Sequence, residues 1–343
     1  MATLKNQIRS LLGKNISSYF TFDRNADSES GYRSKITLAL GYLAGVIIFS
    51  MLIHRSGAEF LVEFPQWMRF DIQVEGVVDD AIDWLVVTYG WFFDYISDNL
   101  KYVLGKLRDF LIWIPWPLMM GIIFLVAWKI ASPKVAVLSL LGMFGIATMN
   151  LWDPTMVTLA IMFVAVFISV LIGVPLGVIA ARSNLVDSCL KPILDTMQTM
   201  PSFVYLVPGI MFFGLGNVSA ILATVLYALP PCIRLTNLGI RQVDPAVIEA
   251  GKSFGSSNMQ LLFKIQIPMA IPTIMAGINQ TVMMALAMST ICAMVGAGGL
   301  GIEVLRAMGQ LREGEAVIAG FAIVILAIII DRITQGYIAQ RQL

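Results

Sequence analysis

The chain has 343 residues, of which 58% are hydrophobic and 13% are charged, and its formal net charge at pH 7 is +1. Soluble domains carry about 25% charged residues, so this composition excludes an ordinary soluble protein and indicates an integral membrane protein. The near-neutral charge also gives no reason to expect nucleic acid as a partner.

Residues 1–54 are predicted to form a basic cytoplasmic tail followed by a first membrane helix. Apolar residues recur on one helical face of residues 4–12 among lysine and arginine, which is typical of a helix lying on an anionic leaflet. A solvated tail explains the same pattern equally well. The segment lacks a short apolar core beside a small-residue cleavage site, so it is not predicted to be a signal peptide.

Eight apolar segments, two of them short, approach the roughly 20 residues that a helix needs to cross the hydrocarbon core of a bilayer. They are residues 36–53, 111–131, 134–151, 155–181, 201–215, 218–239, 268–295 and 315–332. The sequence therefore predicts an all-α polytopic protein with about eight transmembrane helices.

Positive charges in the short loops predict the orientation of these helices. With eight spans, the following residues all fall on one side: Arg33, Lys35, Lys129, Lys134, Arg182, Lys191, Arg234, Arg241, Lys252, Lys264, Arg332 and Arg341. That side is predicted to be the cytoplasm, and both termini are then cytoplasmic.

Residues 55–110 fall on the opposite, external side in this arrangement. The segment is rich in acidic residues, and its aromatic residues, such as Trp84 and Trp91, are interleaved with them. This pattern favours amphipathic helices lying at the membrane interface as a scaffold. An aromatic cage for a cation is the alternative.

The loop at residues 243–268 is the only long polar stretch in the second half of the chain. Asp244 and Pro245 are typical of a helix start, and Gly255 is typical of a helix end in a left-handed conformation. One face of this helix is predicted to carry Val247, Ala250, Gly251 and Phe254.

A second helix is predicted to begin at once, because Ser257 and Gln260 have capping-box spacing, and to end at Pro268. A loop that only connects two spans needs no apolar face. The face therefore fits either the groove of a partner protein or the protein's own membrane helices, and the spacing alone does not decide between them.

The same stretch resembles the EAA motif of permease subunits of ATP-binding cassette (ABC) importers, which reads E-A-A, then G, then I-x-L-P. The positions that align with the motif are Glu249, Ala250, Gly251, Gly255, Ile265 and Pro268. The chain departs from the pattern at Gly251 and Ile267. Further stretches, including "LDTMQTMPSFVYLVPGIMFFGLGNV" and "IPTIMAGINQTVMMALAMS", resemble the glycine betaine/proline betaine permeases, and the likeness covers roughly residues 55–335.

The resemblance implies a type I ABC importer transmembrane domain, with a permease core at residues 111–343, located in the bacterial inner membrane. It implies a permease homodimer, two copies of an ATP-binding cassette subunit and an external substrate-binding protein. The helix with Phe254 would be the coupling helix that docks in the ATPase. This chain would be no enzyme and would need no cofactor, because ATP and magnesium would bind to the partner subunit.

The implied solute is a quaternary-ammonium osmolyte such as glycine betaine. Choline, trimethylamine N-oxide, a sulfonium osmolyte or an amino acid are alternatives. Asn279, Gln280 and Thr281 in the seventh span, and Thr199 before Pro201, are polar at membrane depth, so they are candidates for the translocation path. Hydrogen bonds between helices explain them equally simply.

Other chemistries find little support in the sequence. His54 is the only histidine, which leaves almost no basis for a zinc site or a histidine-based triad. Cys189, Cys232 and Cys292 have no metal or disulfide spacing and are predicted to be small buried side chains. Residues 296–301 fit G-x-G-x-x-G, but no strand is predicted before them, so a glycine-rich turn near the external gate is expected instead of a nucleotide site.

Two rival functions remain open. A secondary transporter would be expected to show internal repeats or buried charges, which the sequence lacks. A structural or sensory membrane protein would bind a partner but move no solute.

Overall fold

The computed structural model of the chain describes residues 26–55 and 71–340. In those two ranges every regular element is helical, which confirms the all-α class. The α-helices are α1 (Ala26–Arg55), α2 (Asp71–Trp113), α3 (Trp116–Ile130), α4 (Pro133–Thr148), α5 (Trp152–Arg182), α6 (Asn184–Thr199), α7 (Leu206–Phe213), α8 (Asn217–Arg241), α9 (Pro245–Ser253), α10 (Asn258–Leu261), α11 (Ile267–Ile291), α12 (Leu300–Gly309) and α13 (Glu313–Gln340). The amphipathic stretch predicted at residues 4–12 lies outside the described residues.

Five of the described segments are long and apolar enough to cross a membrane, namely residues 36–55, 152–182, 217–241, 258–295 and 313–338. They correspond to five of the eight predicted spans. The count rises to six if α2 and α3, which meet at a 101° bend, form one broken span. The predicted count of eight is therefore not confirmed.

The remaining three predicted spans are short helices in the structure, and a proline accounts for the break in the first of them. Pro115 separates α2 from α3, because a proline disfavours helical geometry at the residue before it. The resulting α3 and α4 have 15 and 16 residues, or about 24 Å at most, against a hydrocarbon core of about 30 Å. The segment predicted at 201–215 is a 3₁₀ turn, Ser202–Tyr205, followed by the eight-residue α7.

Contacts within the chain define two compact units, Met1–Asp80 and Ala81–Leu343. In the first unit, the side chains of residues 36–55 in α1 are almost all exposed and mostly apolar, as expected of a helix surrounded by lipid. The long helix α2 deviates from helical geometry at Tyr89. The boundary predicted at residue 110 lies inside this helix.

The core of the second unit is built on α8, which packs against both α5 and α11. Small residues let these helices approach closely. A Cβ added to Gly177 on α5 would lie 2.5 Å from Cβ of Thr236, and one added to Gly277 on α11 would lie 2.9 Å from Cβ of Leu235. The three helices are therefore held at a separation that only glycine allows at these points.

The three cysteines do not share one environment. Cys232 and Cys292 are buried as predicted, whereas Cys189 is exposed. The prediction was wrong at Cys189 because α6 is an amphipathic helix and not part of a fully apolar span.

Candidate functional site

Helix α9 has the start and end that its sequence predicts. The Asp244 carboxylate accepts a hydrogen bond from the backbone N–H of Ala246 at 2.8 Å, and Pro245 occupies the first turn. Gly255 has a φ of +77°, and the N–H of Ser256 returns to the carbonyl of Gly251 at 3.1 Å. This left-handed residue ends the helix and reverses the chain.

The capping box that begins the second helix is also present. The N–H of Gln260 donates to the Ser257 hydroxyl at 3.3 Å, and the Gln260 side chain accepts from the N–H of Ser257 at 2.8 Å. The predicted end at Pro268 was wrong. After α10 the chain forms a π-helix, Leu262–Gln266, and continues into α11 with Pro268 in its first turn, where a missing N–H is tolerated best.

The inner side of α9 packs on the start of the following helix. Gly251 is buried, and a Cβ at this position would lie 2.6 Å from Cδ2 of Leu261 and 2.7 Å from Cδ1 of Ile265. An alanine at this position, as in the EAA pattern, would have to push the ends of the Leu261 and Ile265 side chains aside. Gly251 and Ile265 therefore belong to an internal contact between α9 and the π-helix.

The outer side of α9 is open. Phe254 has 89% of its surface exposed, and Glu249 and Ala250 are also exposed. Met259 and Phe263 add two exposed apolar side chains to the same loop. The face predicted to contain Val247, Ala250, Gly251 and Phe254 is thus divided, with Gly251 turned inward and Ala250 and Phe254 turned outward.

A polar cluster at the end of α8, which the sequence analysis missed, precedes this loop. Asp187 on α6 is largely buried. Its carboxylate accepts a hydrogen bond from Asn237 at 2.7 Å and forms ion pairs with Lys191 at 2.8 Å and Arg241 at 3.7 Å. The hydrogen bond from Lys191 lowers the pKa of Asp187 below its ordinary value, more strongly than burial raises it. The carboxylate therefore stays ionised at neutral pH.

The four candidates for the translocation path fall into two groups. The Thr281 hydroxyl donates to the carbonyl of Ala228 at 3.0 Å, and the Asn279 side chain bridges Asp331 at 3.3 Å and Thr334 at 2.6 Å. These two residues link α11 to α8 and α13. Gln280 and Thr199 have exposed side chains.

The glycine-rich loop at residues 296–301 lies at the other end of α8. The N–H of Gly298 donates to the Asn217 side chain at 2.9 Å, and the N–H of Leu300 donates to the Thr158 hydroxyl at 2.8 Å. A 3₁₀ turn, Cys292–Val295, precedes the loop, so the strand that a dinucleotide site requires is missing from this position.

Comparisons with known proteins identify the family. Residues 173–342 match the family described as binding-protein-dependent transport system inner membrane component. The chain is 45% identical over 265 residues to the glycine betaine/proline betaine transport system permease protein ProW of Escherichia coli (strain K12), covering 77% of this chain and 75% of that protein. It is 47% identical over 265 residues to the glycine betaine transport system permease protein OpuAB of Bacillus subtilis (strain 168), covering 77% and 94%.

A solved structure agrees with this assignment at the level of the fold. The structure describing inward-facing conformations of the MetNI methionine ABC transporter matches with a TM-score of 0.50 and 24% identity, covering 54% of this chain and 92% of that chain. Fold, motif and relatives therefore lead to the same conclusion. The chain belongs to the binding-protein-dependent transport system inner membrane component family and is the permease subunit of an ABC importer.

Proposed function

We propose that the chain forms, as a homodimer, the membrane path of an ATP-driven importer for a quaternary-ammonium osmolyte of the glycine betaine type. The proposal draws its solute from relatives that are 45% and 47% identical and are named for glycine betaine transport. Two separate ATP-binding subunits would supply the energy, and an external binding protein would deliver the solute. ATP and magnesium would bind to those subunits, so this chain would need no cofactor of its own.

The docking role of α9 is carried by Phe254. Its side chain is almost fully exposed at the end of a helix that is capped at both ends. A short rigid helix transmits force better than an irregular loop, and an exposed aromatic residue on it suits a groove in a partner protein. In this proposal Phe254, Ala250 and Glu249 contact the ATP-binding subunit, while Gly251 and Ile265 transmit the contact to α11.

The experiment that tests this role compares two exposed apolar residues at different loops. Phe254→Ser is expected to lower co-purification of the ATP-binding subunit and uptake of labelled glycine betaine in proteoliposomes. Leu311→Ser, which alters a residue that is 88% exposed between α12 and α13, is expected to leave both unchanged. Equal behaviour of the two variants would refute docking through α9.

The energy source is tested in the same proteoliposomes, which contain the permease, the ATP-binding subunit and the external binding protein. Uptake is expected only with ATP inside. Uptake driven by an ion gradient without ATP would identify a secondary transporter, and no uptake of any tested solute would favour a sensory or structural role.

Solute selection is proposed to lie mainly outside this chain. A trimethylammonium group offers no hydrogen-bond donor, so a tight site for it needs aromatic faces. We expect that cage on the external binding protein, with Gln280 and Thr199 lining only a weak path here. Competition by choline, trimethylamine N-oxide, a sulfonium osmolyte or amino acids would rank the alternatives. A relative named for trimethylamine N-oxide transport, TmoV of Pelagibacter ubique (strain HTCC1062), is 39% identical over 224 residues.

The proposed orientation has both termini and α9 in the cytoplasm. It is tested by single cysteines at positions 75 and 256 in a chain whose three native cysteines have been replaced. A membrane-impermeant thiol reagent is expected to label position 75 from outside and position 256 only after the membrane is opened. Labelling of both positions from one side would refute this topology.

A further inference from the structure

The connection between α8 and α9 is short and fixed. Arg241 is the last residue of α8, Asp244 caps α9, and only Gln242 and Val243 lie between them. Val243 is buried, so its side chain anchors the connection. A displacement of α9 is therefore expected to move Arg241 as well, because the connection between them is short.

The guanidinium group of Arg241 joins three helices. It donates from Nη2 to the carbonyl of Ala180 on α5 at 2.8 Å, from Nη1 to the Asn184 side chain on α6 at 2.8 Å, and from Nε to Asn237 on α8 at 2.9 Å. All three nitrogens are used. The rigid planar fork of arginine makes this possible, and the single ammonium group of lysine cannot reproduce it.

Asp187 helps to hold the guanidinium group of Arg241 in place. Its carboxylate is largely buried and holds Asn237, the residue that also accepts from Arg241. Partly buried, charge-assisted hydrogen bonds of this kind are stronger than exposed ones. The cluster thus connects the end of α8, which directly precedes α9, to the beginning of α6. Helix α6 ends at the path candidate Thr199.

We infer that Arg241, held by Asp187, Asn184 and the carbonyl of Ala180, is a positioning residue that transmits the displacement of α9 to α5 and α6 during transport. The inference rests on the proposed docking function of α9. It adds a second route from that helix into the membrane bundle, beside the direct packing of Gly251 on the π-helix. Through α6 this route reaches the break at Pro201 and the segment that carries Thr199.

A neighbouring contact provides a matched comparison. Arg234, two turns earlier on α8, also reaches α6, where it pairs with Asp195. The two arginine side chains are similarly exposed, but Asp195 is 65% exposed whereas Asp187 is 11% exposed, and exposed ion pairs contribute little. This pair lies farther from α9 and is not expected to transmit its movement.

The experiment compares Arg241→Lys with Arg234→Lys in the assembled transporter. Arg241→Lys is expected to retain the ATP-binding subunit and its ATPase activity but to lower the solute transported per ATP by about fivefold or more. Arg234→Lys is expected to keep that ratio. A purely structural role of Arg241 would instead lower assembly or thermal stability while the assembled fraction kept the wild-type ratio, and that result would overturn the inference.

Asn184→Ala guards against a folding defect, because it removes one acceptor of Arg241 from an exposed position. If Arg241→Lys does not assemble, a lowered ratio in Asn184→Ala supports the inference and a wild-type ratio overturns it.

Gly255→Val is measured in parallel. If Gly255→Val lowers the ratio and Arg241→Lys does not, only this inference fails. If Gly255→Val leaves both the ratio and the recovery of the ATP-binding subunit unchanged, the proposed docking function fails.

Discussion

The two ends of α8 carry loops of opposite character. At its last residues the chain passes into α9, where Phe254 and Glu249 are exposed. At its first residue, Asn217 holds the N–H of Gly298, and the neighbouring Leu300 is fully buried. The glycine-rich loop donates hydrogen bonds to Asn217 and Thr158 and buries Leu300 within this chain, whereas the α9 loop leaves an apolar surface that this chain does not cover.

Each of these two loops contains a glycine with positive φ, so the effect of a substitution can be compared between them. Gly255 has a φ of +77°, and a Cβ added there would meet no atom within 4 Å. Gly299 has a φ of +100°, and a Cβ there would overlap the hydroxyl of Thr158. Both positions need glycine for the backbone, but only Gly299 also needs it for space.

The largest effect is expected at the closed end. Gly299→Ala would combine backbone strain of about 1–3 kcal/mol with overpacking of a similar size, so the purified permease should unfold at a clearly lower temperature. Gly216→Ala is the matched control, because Gly216 has a φ of +132° but open space around it. Equal melting temperatures of the two variants would show that the contact with Thr158 does not matter.

At the open end, substitution should affect coupling more than folding. Gly255→Val is expected to leave membrane insertion and permease dimerisation intact, since only strain of about 1–2 kcal/mol arises. The distorted turn should lower binding of the ATP-binding subunit or the solute moved per ATP. Co-purification and the ratio of uptake to ATP hydrolysis measure both. Wild-type values for both would remove the main support for a coupling helix.

Local features of the α9 loop were predictable from sequence because they depend on neighbours in the chain. The Asp244 cap, the Ser257–Gln260 capping box and the left-handed Gly255 each involve residues at most three positions apart. A cap is a local hydrogen bond, so residue type and spacing suffice to predict it.

Features that depend on distant partners were not predictable in the same way. Arg241 was counted only as a positive charge, although it contacts Ala180 and Asn184, about 60 positions earlier. The eight-span count is not confirmed for a related reason. Apolar composition continues across Pro115, but the chain turns by 101° there, and composition does not report a bend.

A smaller effect is expected for Glu249→Ala. If the carboxylate is partly buried against a basic group of the ATP-binding subunit, its loss should weaken docking by about 1–3 kcal/mol, against less than about 1 kcal/mol if it stays exposed. Co-purification at increasing salt concentration distinguishes these cases, because an exposed pair is screened. Binding that matches wild type at every salt concentration would assign Glu249 to the solvated face of α9.

The smallest effect is expected for Gly251→Ala, where two opposing terms nearly cancel. Alanine favours a helix interior by about 1 kcal/mol relative to glycine. Its methyl group would crowd Leu261 and Ile265, but it meets only the terminal Cδ atoms of flexible side chains, which can move aside. The net change in thermal stability should stay within about 1 kcal/mol.

The inner contact of α9 would then tolerate a change that the closed end at Gly299 does not. A strong loss of stability in Gly251→Ala would show that the packing of α9 on the π-helix is as tight as the packing around Thr158, and the distinction between an open and a closed end would apply only to the outer face that carries Phe254.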